Sequence, residues 1–233
     1  MAKFDLEKTQ ALGELFAEPR ESRDDAWRRR FYAAAGDASL MSFDPQVNMG
    51  PDEFPYFHLA MPDAGAFTPF CVSHVLDGAL ENGFGVAIFG DSSRSQDPEW
   101  VFTYGDLLAF RLFGDFDGDP AEAGRAPHQG TDAGRAVLAA APSEAYLPGY
   151  ARRALGDYAK RIFHMPHPKI GLVDDPQSTP SRSLMINLTL ADYDGEEEKL
   201  QAAMHYLSWF LPRTYRIVPM LPGWNDANFV ALE

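Results

Sequence analysis

The chain has 233 residues, 45% of them hydrophobic, which is enough for a substantial core, and its formal net charge of −14 disfavours nucleic acid as a partner. Its single cysteine, Cys71, excludes an intramolecular disulfide framework and a cysteine-rich zinc site. The first ten residues lack the apolar segment of a signal peptide, and no stretch approaches the roughly 20 apolar residues that span a bilayer. A cytoplasmic protein without membrane contact is therefore expected.

The first 113 residues predict a mixed helical and β region. Ser22 is predicted to cap a helix with aromatic residues on one face, after a first helix that begins near Leu6. Two short strands are expected next, over residues 39–43 and 56–60, with a turn-rich stretch between them. No internal repeat is visible here or further along the chain.

The following residues predict a helix and then a β-hairpin. Ser73 is predicted to cap the helix, and Gly83 lies where a left-handed residue would end it. Residues 85–89 and 100–103 predict two strands that are joined by a long polar loop. Residues 107–111 continue either as a short helix or as a further strand, and the sequence leaves both alternatives open.

Residues 114–136 are rich in Gly, Asp, Ala and Pro and contain almost no large apolar side chain, so they predict a linker or a surface excursion. Asp115, Asp117 and Asp119 at its start resemble a calcium-binding loop. The glycine there is at the fourth position rather than the sixth, so a solvated acidic turn is the preferred interpretation. The chain is thus expected to have two halves, residues 1–113 and 137–233.

The C-terminal half predicts an α-β-β-α-β unit. Two helices carry apolar residues at i, i+3, i+4, i+7 and i+11, starting at Ala151 and at Leu200. Asp194, with Glu197 three residues on, is predicted to begin the second helix, and Pro212 is predicted to end it. Strands are predicted over residues 169–173 and 183–190 between the helices, and over residues 215–221 after them. The whole chain is therefore predicted to have an α+β fold.

Short sequences mark the element boundaries of this unit: Tyr146-Leu147-Pro148 opens the first helix, Lys169-Ile170-Gly171-Leu172 begins a strand, and Phe210-Leu211-Pro212 precedes Tyr215-Arg216-Ile217. In this order they resemble the C-terminal domain of the SseB family, which is named for enhanced serine sensitivity. The resemblance covers residues 146–220, and the N-terminal half carries none. It implies an α+β fold without an established active site, so it carries over no functional residues.

Cys71 and His74 form a candidate nucleophile pair, because a thiol near a helix N-terminus can have a lowered pKa. The loop from Asp91 to Arg94 could expose a serine beside an acid after a strand. Neither place carries a family motif such as the Gly-x-Ser-x-Gly elbow. A packing role for Cys71 and a plain hairpin loop are therefore the preferred interpretations.

His164 and His167 are spaced so that two imidazoles could approach one metal ion. Pro166 between them breaks the helical face on which such pairs are usually built, and the other histidines are scattered along the chain. No metal site and no cofactor is predicted.

Aromatic residues cluster between residues 100 and 116 and between residues 54 and 70. Core packing accounts for many of them, but an aromatic patch rimmed by carboxylates would suit a protein partner. Trp100, Phe102 and Tyr104 are the predicted binding residues. The leading hypothesis is therefore a cytoplasmic, non-catalytic protein-interaction or regulatory module whose partner is another protein, with its oligomeric state open.

Two alternatives stay open beside this hypothesis. A small hydrolase or transferase would use Cys71 or the loop from Asp91 to Arg94 as its reactive site. A small-ligand-binding protein would hold its ligand in a pocket between the two halves of the chain.

Overall fold

The computed structural model shows two compact units, Met1–Leu107 and Leu108–Glu233. The residues that it describes are 5–63, 70–91, 97–118, 138–175 and 180–233. Helices and a mixed sheet occur in each unit, which confirms the predicted α+β fold. The boundary between the units lies inside a helix and precedes the predicted linker, of which residues 119–136 are outside the described part of the chain.

The N-terminal unit begins with two helices and continues with a four-stranded sheet. Its elements are α1 (Leu6–Ala17), α2 (Asp25–Ala35), β1 (Met41–Met49), β2 (Pro55–Ala60), α3 (Val72–Asn82), β3 (Gly85–Phe89), β4 (Trp100–Phe102) and α4 (Tyr104–Phe113), the last of which crosses the unit boundary. Of the two alternatives for residues 107–111, the helix is therefore the one that forms.

The strand order in this sheet is β1-β2-β3-β4. β1 and β2 are antiparallel, α3 then connects β2 to the parallel strand β3, and β4 returns antiparallel beside β3. The predicted hairpin is thus confirmed. β1 is longer than expected, because its pairing with β2 stops after Ser42 and resumes at Val47 in a shifted register. Pro45 lies in this interruption and has no N–H to donate to the ladder.

Two helix starts differ from the prediction because other residues cap them. The carboxylate of Asp24 accepts a hydrogen bond from the Trp27 N–H at 2.8 Å and so begins α2, whereas Ser22 lies in a short 3-10 turn before it. At α3 the N-cap position is taken by Cys71. The Ser73 hydroxyl instead donates to the Gly36 carbonyl oxygen at 2.8 Å.

An aromatic cluster fills the core between α2 and the sheet. The ring of Phe31 lies 5.2 Å from that of Trp27, 4.7 Å from that of Trp100 and 5.7 Å from that of Phe102. The Trp27 indole N–H donates to the Leu15 carbonyl oxygen at 3.0 Å, which joins α1 to α2 through a satisfied buried donor.

The described part of the C-terminal unit contains a five-stranded sheet and, after its part of α4, two further α-helices. Its elements after α4 are β5 (Leu138–Ala140), α5 (Gly149–Ile162), β6 (Lys169–Asp174), β7 (Arg182–Ile186), a 3-10 helix (Leu190–Tyr193), α6 (Glu197–Ser208), β8 (Ile217–Pro219) and β9 (Val230–Ala231).

The predicted α-β-β-α-β order is confirmed in this unit by α5, β6, β7, α6 and β8. β6 and β7 are antiparallel, and α6 connects β7 to the parallel strand β8. β5 and β9 both pair with β6 in antiparallel fashion, at different positions along it. The described part of the N-terminal unit runs in the same order through α2, β1, β2, α3 and β3, so a topology repeats although no sequence repeat is visible.

The second strand and the second helix of this unit are shorter than predicted. Asn187 ends the ladder of β7, because its side-chain oxygen accepts from the Lys169 N–H at 2.7 Å and its amide donates to the His167 carbonyl oxygen at 3.0 Å. α6 starts at Glu197 rather than at Asp194, since Asp194 and Gly195 have φ values of 54° and 83°, which a right-handed helix cannot include.

Most positions of the two apolar stripes are buried as expected. Leu155 and Leu207 are fully buried, and the Tyr158 ring of α5 lies 5.0 Å from the ring of Phe210, just after α6. Ile162 is an exception, with 41% of its surface exposed. Met204 is only half-buried, because it lies beside the groove described below.

Candidate functional site

An open groove of about 670 Å³ lies in the C-terminal unit, at the carboxyl ends of β7 and β8. Three pieces of the chain form it: the residues that follow β7, one face of α6, and the residues that follow β8. Its large apolar side chains are Leu190, Leu200, Met204, Met220, Leu221 and Trp224.

The topology explains why the groove forms at this edge. β7 and β8 are parallel and in register at Ile186 and Pro219, so both strands end at the same edge of the sheet. The Met220 N–H donates to the Leu188 carbonyl oxygen at 2.9 Å, which holds the two outgoing segments together at the base of the groove. Crevices outside the carboxyl ends of parallel strands are common ligand-binding places in α/β sheets.

The wall after β8 is a turn. Gly223 has a φ of 83°, a conformation that glycine adopts readily, and the Trp224 N–H donates to the Leu221 carbonyl oxygen at 3.1 Å. The turn places Leu221 and Trp224 along the groove. In the chain, it lies between Pro219, at the end of β8, and β9, which pairs with β6.

The apolar surface of the groove is partly open to solvent. Leu221 is 52% exposed and Leu190 is 36% exposed, whereas Leu200 is buried beneath them. Met204, Met220 and Trp224 are half-buried. Exposed leucines, half-buried methionines and an indole thus lie next to one another in a single groove.

The chemistry of the lining favours recognition over catalysis. Among the residues that line the groove, Glu197 carries the one ionisable side chain. The others offer aliphatic, thioether and indole groups, the hydroxyl of Thr189 and the amide of Gln201. A lining of this kind binds apolar groups and has few polar groups with which to orient a reacting bond.

A second cavity, of about 360 Å³, is lined by His164 and His167, the two histidines whose spacing suggested a metal pair that the sequence does not favour. His164 and His167 are both exposed, and Asn187 and Asp192 line the same cavity. Asn187 is occupied by the backbone contacts described above, and the Asp192 carboxylate accepts the Thr189 N–H at 2.7 Å. Within the described residues, no group of three or more His, Cys, Asp or Glu is placed to hold a metal ion.

The structure argues against the alternative of a reactive thiol at Cys71 and agrees with the preferred packing role. The side chain is fully buried, and this burial raises the pKa of the Cys71 thiol. The lowering of the pKa that the start of α3 can cause is outweighed, because a buried thiolate loses its hydration. The ring of His74 stacks on Phe70, with 5.9 Å between ring centroids. A buried thiol with a raised pKa is a poor nucleophile, so the packing interpretation holds for Cys71.

The predicted aromatic binding residues belong largely to the core. Phe102 and Tyr104 are fully buried, and the Tyr104 hydroxyl donates to the Leu80 carbonyl oxygen at 3.0 Å. Trp100 is half-buried against Phe31. This corrects the prediction for Phe102 and Tyr104, because a ring without exposed surface cannot contact a partner while the unit stays folded.

The remaining candidates fall partly outside the described residues. Ser92, Ser93 and Arg94 of the predicted reactive loop are not among them, whereas Asp91 is described and exposed. In the acidic turn, the Asp115 carboxylate accepts the Asp117 N–H at 3.2 Å, and Asp119 again lies outside the described residues.

The groove itself was not predicted from the sequence. Met204 belongs to the predicted apolar stripe of the second helix, and residues 219–221 belong to the predicted last strand. The available signal was the sequence Pro-Met-Leu-Pro-Gly-Trp, in which turn residues interrupt large apolar side chains. Prolines and a glycine interrupt this apolar run, so it cannot continue as a strand of the sheet. Its large apolar side chains therefore lie beside the edge of the sheet.

Comparisons with protein-family models, with curated proteins and with solved structures return no match for this chain. Among the described residues, none of the helices has both the length and the apolar character that a membrane crossing requires.

Proposed function

We propose that the protein is a non-catalytic interaction module and that its groove binds apolar side chains of a protein partner. One observation carries the proposal: Leu190, Leu221 and Trp224 offer exposed or half-exposed apolar surface along a concave edge of the sheet. Burying such surface is favourable by about 25 cal/mol per Å². A partner that inserts two or three apolar side chains gains free energy mainly from this burial.

The side chains of the groove suit a partner segment better than a small ligand. The volume of about 670 Å³ would hold either, but the 52% exposure of Leu221 shows how open this wall is. Met204 and Met220 can adjust their rotamers to different partner side chains, as methionines do at adaptable binding surfaces. A protein segment lying along the groove would cover Leu221, which a small molecule seated at its base would leave exposed.

The assignment of residues 146–220 to an SseB-like domain belongs to the same proposal. It is supported by the order of α5, β6, β7, α6 and β8, which agrees with the order on which the resemblance rests. A cytoplasmic location for the protein, expected from its single cysteine and from the lack of an apolar segment in its first ten residues, is likewise proposed.

The proposal is tested with a single charge placed in the groove. A display library of random peptides is selected against the wild-type protein, and the strongest binders are then measured on Leu221→Asp by fluorescence anisotropy. Since Leu221 is half-exposed, the substitution leaves the fold intact, which circular dichroism and the urea midpoint check. We expect at least about a tenfold loss of affinity, which corresponds to about 1.4 kcal/mol.

Leu6→Asp is the matched control, because Leu6 is 75% exposed at the start of α1 in the N-terminal unit. It should leave the affinity of the selected peptides unchanged. If the selected peptides bind Leu221→Asp as tightly as the wild type, the groove is not their site and the proposed function is wrong.

A further inference from the structure

One rim of the groove is strongly acidic. Glu197 lines the groove, and the segment around it, from the 3-10 helix into the first turn of α6, also carries Asp194, Glu196 and Glu198, together with Asp192, which lines the second cavity; all of these side chains are exposed. Lys199 is the sole basic residue between positions 189 and 204, and its amino group is bound to the Glu196 carboxylate at 2.7 Å. The rim therefore keeps a large excess of negative charge.

The local structure reduces this charge only slightly. The N-terminus of α6 contributes roughly half a positive charge near Glu197 and Glu198, which offsets less than one carboxylate. The Asp192 carboxylate is fixed in place by the N–H and the hydroxyl of Thr189, each at 2.7 Å, and it stays on the surface. A partner approaching the groove thus meets an apolar floor and a negative rim.

The opposite wall adds no compensating charge. Residues 219–224, Pro-Met-Leu-Pro-Gly-Trp, carry no ionisable side chain. Asp226, further along, is paired with Lys169 at 3.0 Å. With a net charge of −14 for the whole chain, the long-range field also favours positive partners over anionic lipid surfaces and nucleic acids.

We infer that the occupant of the groove is a basic, amphipathic segment of another protein. Its apolar residues lie against Met204, Leu221 and Trp224, and its lysines and arginines face Glu197, which lines the groove, and the exposed Glu198 next to it in the sequence. The inference rests on the proposed function and adds the charge of the partner. Apolar burial supplies most of the affinity, and the rim speeds association and rejects acidic segments.

The test reverses the charge of the rim and follows the peptides selected above. We expect the peptides that require Leu221 to carry a net positive charge. On the double variant Glu197→Lys/Glu198→Lys their affinity should fall about tenfold or more, and raising the salt concentration should weaken their binding to the wild type. Glu81→Lys, a charge reversal at an exposed position of α3, is the control and should change nothing.

The outcomes separate the two proposals. If peptides require Leu221 but carry no excess positive charge and bind the double variant as tightly as the wild type, the inference about charge fails and the proposed function stands. If no selected peptide requires Leu221, both fail. Co-sedimentation of the wild-type protein with vesicles of phosphatidylserine, abolished by Leu221→Asp, would also overturn the inference, because it would show an anionic surface in the groove.

Discussion

Gly156, in the middle of α5, is a residue that no other amino acid can replace without a shift of the backbone. A Cβ atom at this position would overlap the carbonyl oxygen of Leu232. That backbone is fixed, because the Leu232 N–H donates to the Pro168 carbonyl oxygen at 2.9 Å and the Leu232 side chain is fully buried. The close approach of helix and chain therefore depends on the missing side chain.

We expect Gly156→Ala to destabilise the protein by about 1–3 kcal/mol, which is typical of overpacking. Alanine has the higher helix propensity, by about 1 kcal/mol, so a net loss would show that the overlap with Leu232 outweighs this gain. Urea unfolding followed by circular dichroism measures the change.

The control for this substitution is Gly78→Ala in α3, where a Cβ atom meets nothing within 4 Å. It should stabilise the protein by about 0.5–1 kcal/mol through helix propensity alone. Equal effects of the two substitutions would contradict the steric explanation for Gly156.

Single residues also show what the sequence can predict. Hydrophobicity correctly favoured a packing role for Cys71, and it allowed a core position for Phe102 and Tyr104. The cap of α2 was missed because Ser22 and Asp24 have equally suitable side chains, and the choice depends on where the preceding 3-10 turn ends. The sequence alone does not contain that geometry.

The short strand β9 and the residues beside it contact both the sheet and a helix of the C-terminal unit. Val230 and Ala231 pair with Ile170 and Lys169 of β6, and the Phe229 ring occupies the space beside Gly171. The backbone and Cβ of Leu232 lie beside Gly156 of α5. The short strand and Leu232 thus cover the beginning of β6 and the middle of α5 at the same time.

We expect removal of residues 227–233 to destabilise the protein by about 3 kcal/mol or more. The deletion exposes the surface under Leu232 and leaves the β6 backbone groups that pair with β9 without their partners. Removal of exposed Glu233 alone is the control and should have little effect. Unfolding midpoints in urea compare the two truncations, and equal midpoints would show that β9 contributes nothing to stability.

Element type could be predicted here far better than element ends. The apolar periods at Leu155 and Leu207 identify α5 and α6, because a helix buries one face whatever its partner is. The start of α6 could not be predicted, since Asp194 adopts a left-handed conformation that is common for glycine and rare for aspartate. The groove could not be predicted for a related reason: it depends on where β8 ends relative to β7.

For the whole molecule, charge is the property with the broadest effect. A net charge of −14 and an isoelectric point near 4.7 imply repulsion between carboxylates across the folded surface at neutral pH. Salt screens this repulsion, because the Debye length falls from about 30 Å at 0.01 M to about 8 Å at 0.15 M.

We therefore expect the thermal midpoint at pH 7 to rise by a few degrees between about 0.01 M and 0.15 M sodium chloride. Near pH 5 the net charge is small, so the same addition of salt should change the midpoint much less. Scanning fluorimetry at both pH values measures the effect. A midpoint that falls with salt at pH 7 would mean that attractive ion pairs outweigh the net repulsion.

The pairing of β9 with β6 also sets the order in which the chain can fold during its synthesis. The four strands of the N-terminal sheet have all left the ribosome once residue 102 has emerged. In contrast, the partners of Lys169 and Ile170 in the sheet are Ala231 and Val230, which are synthesised about 60 residues later. Because domains fold largely as they emerge, the N-terminal sheet forms first, and the part of β6 at Lys169 and Ile170 lacks its partner strand until β9 has been made.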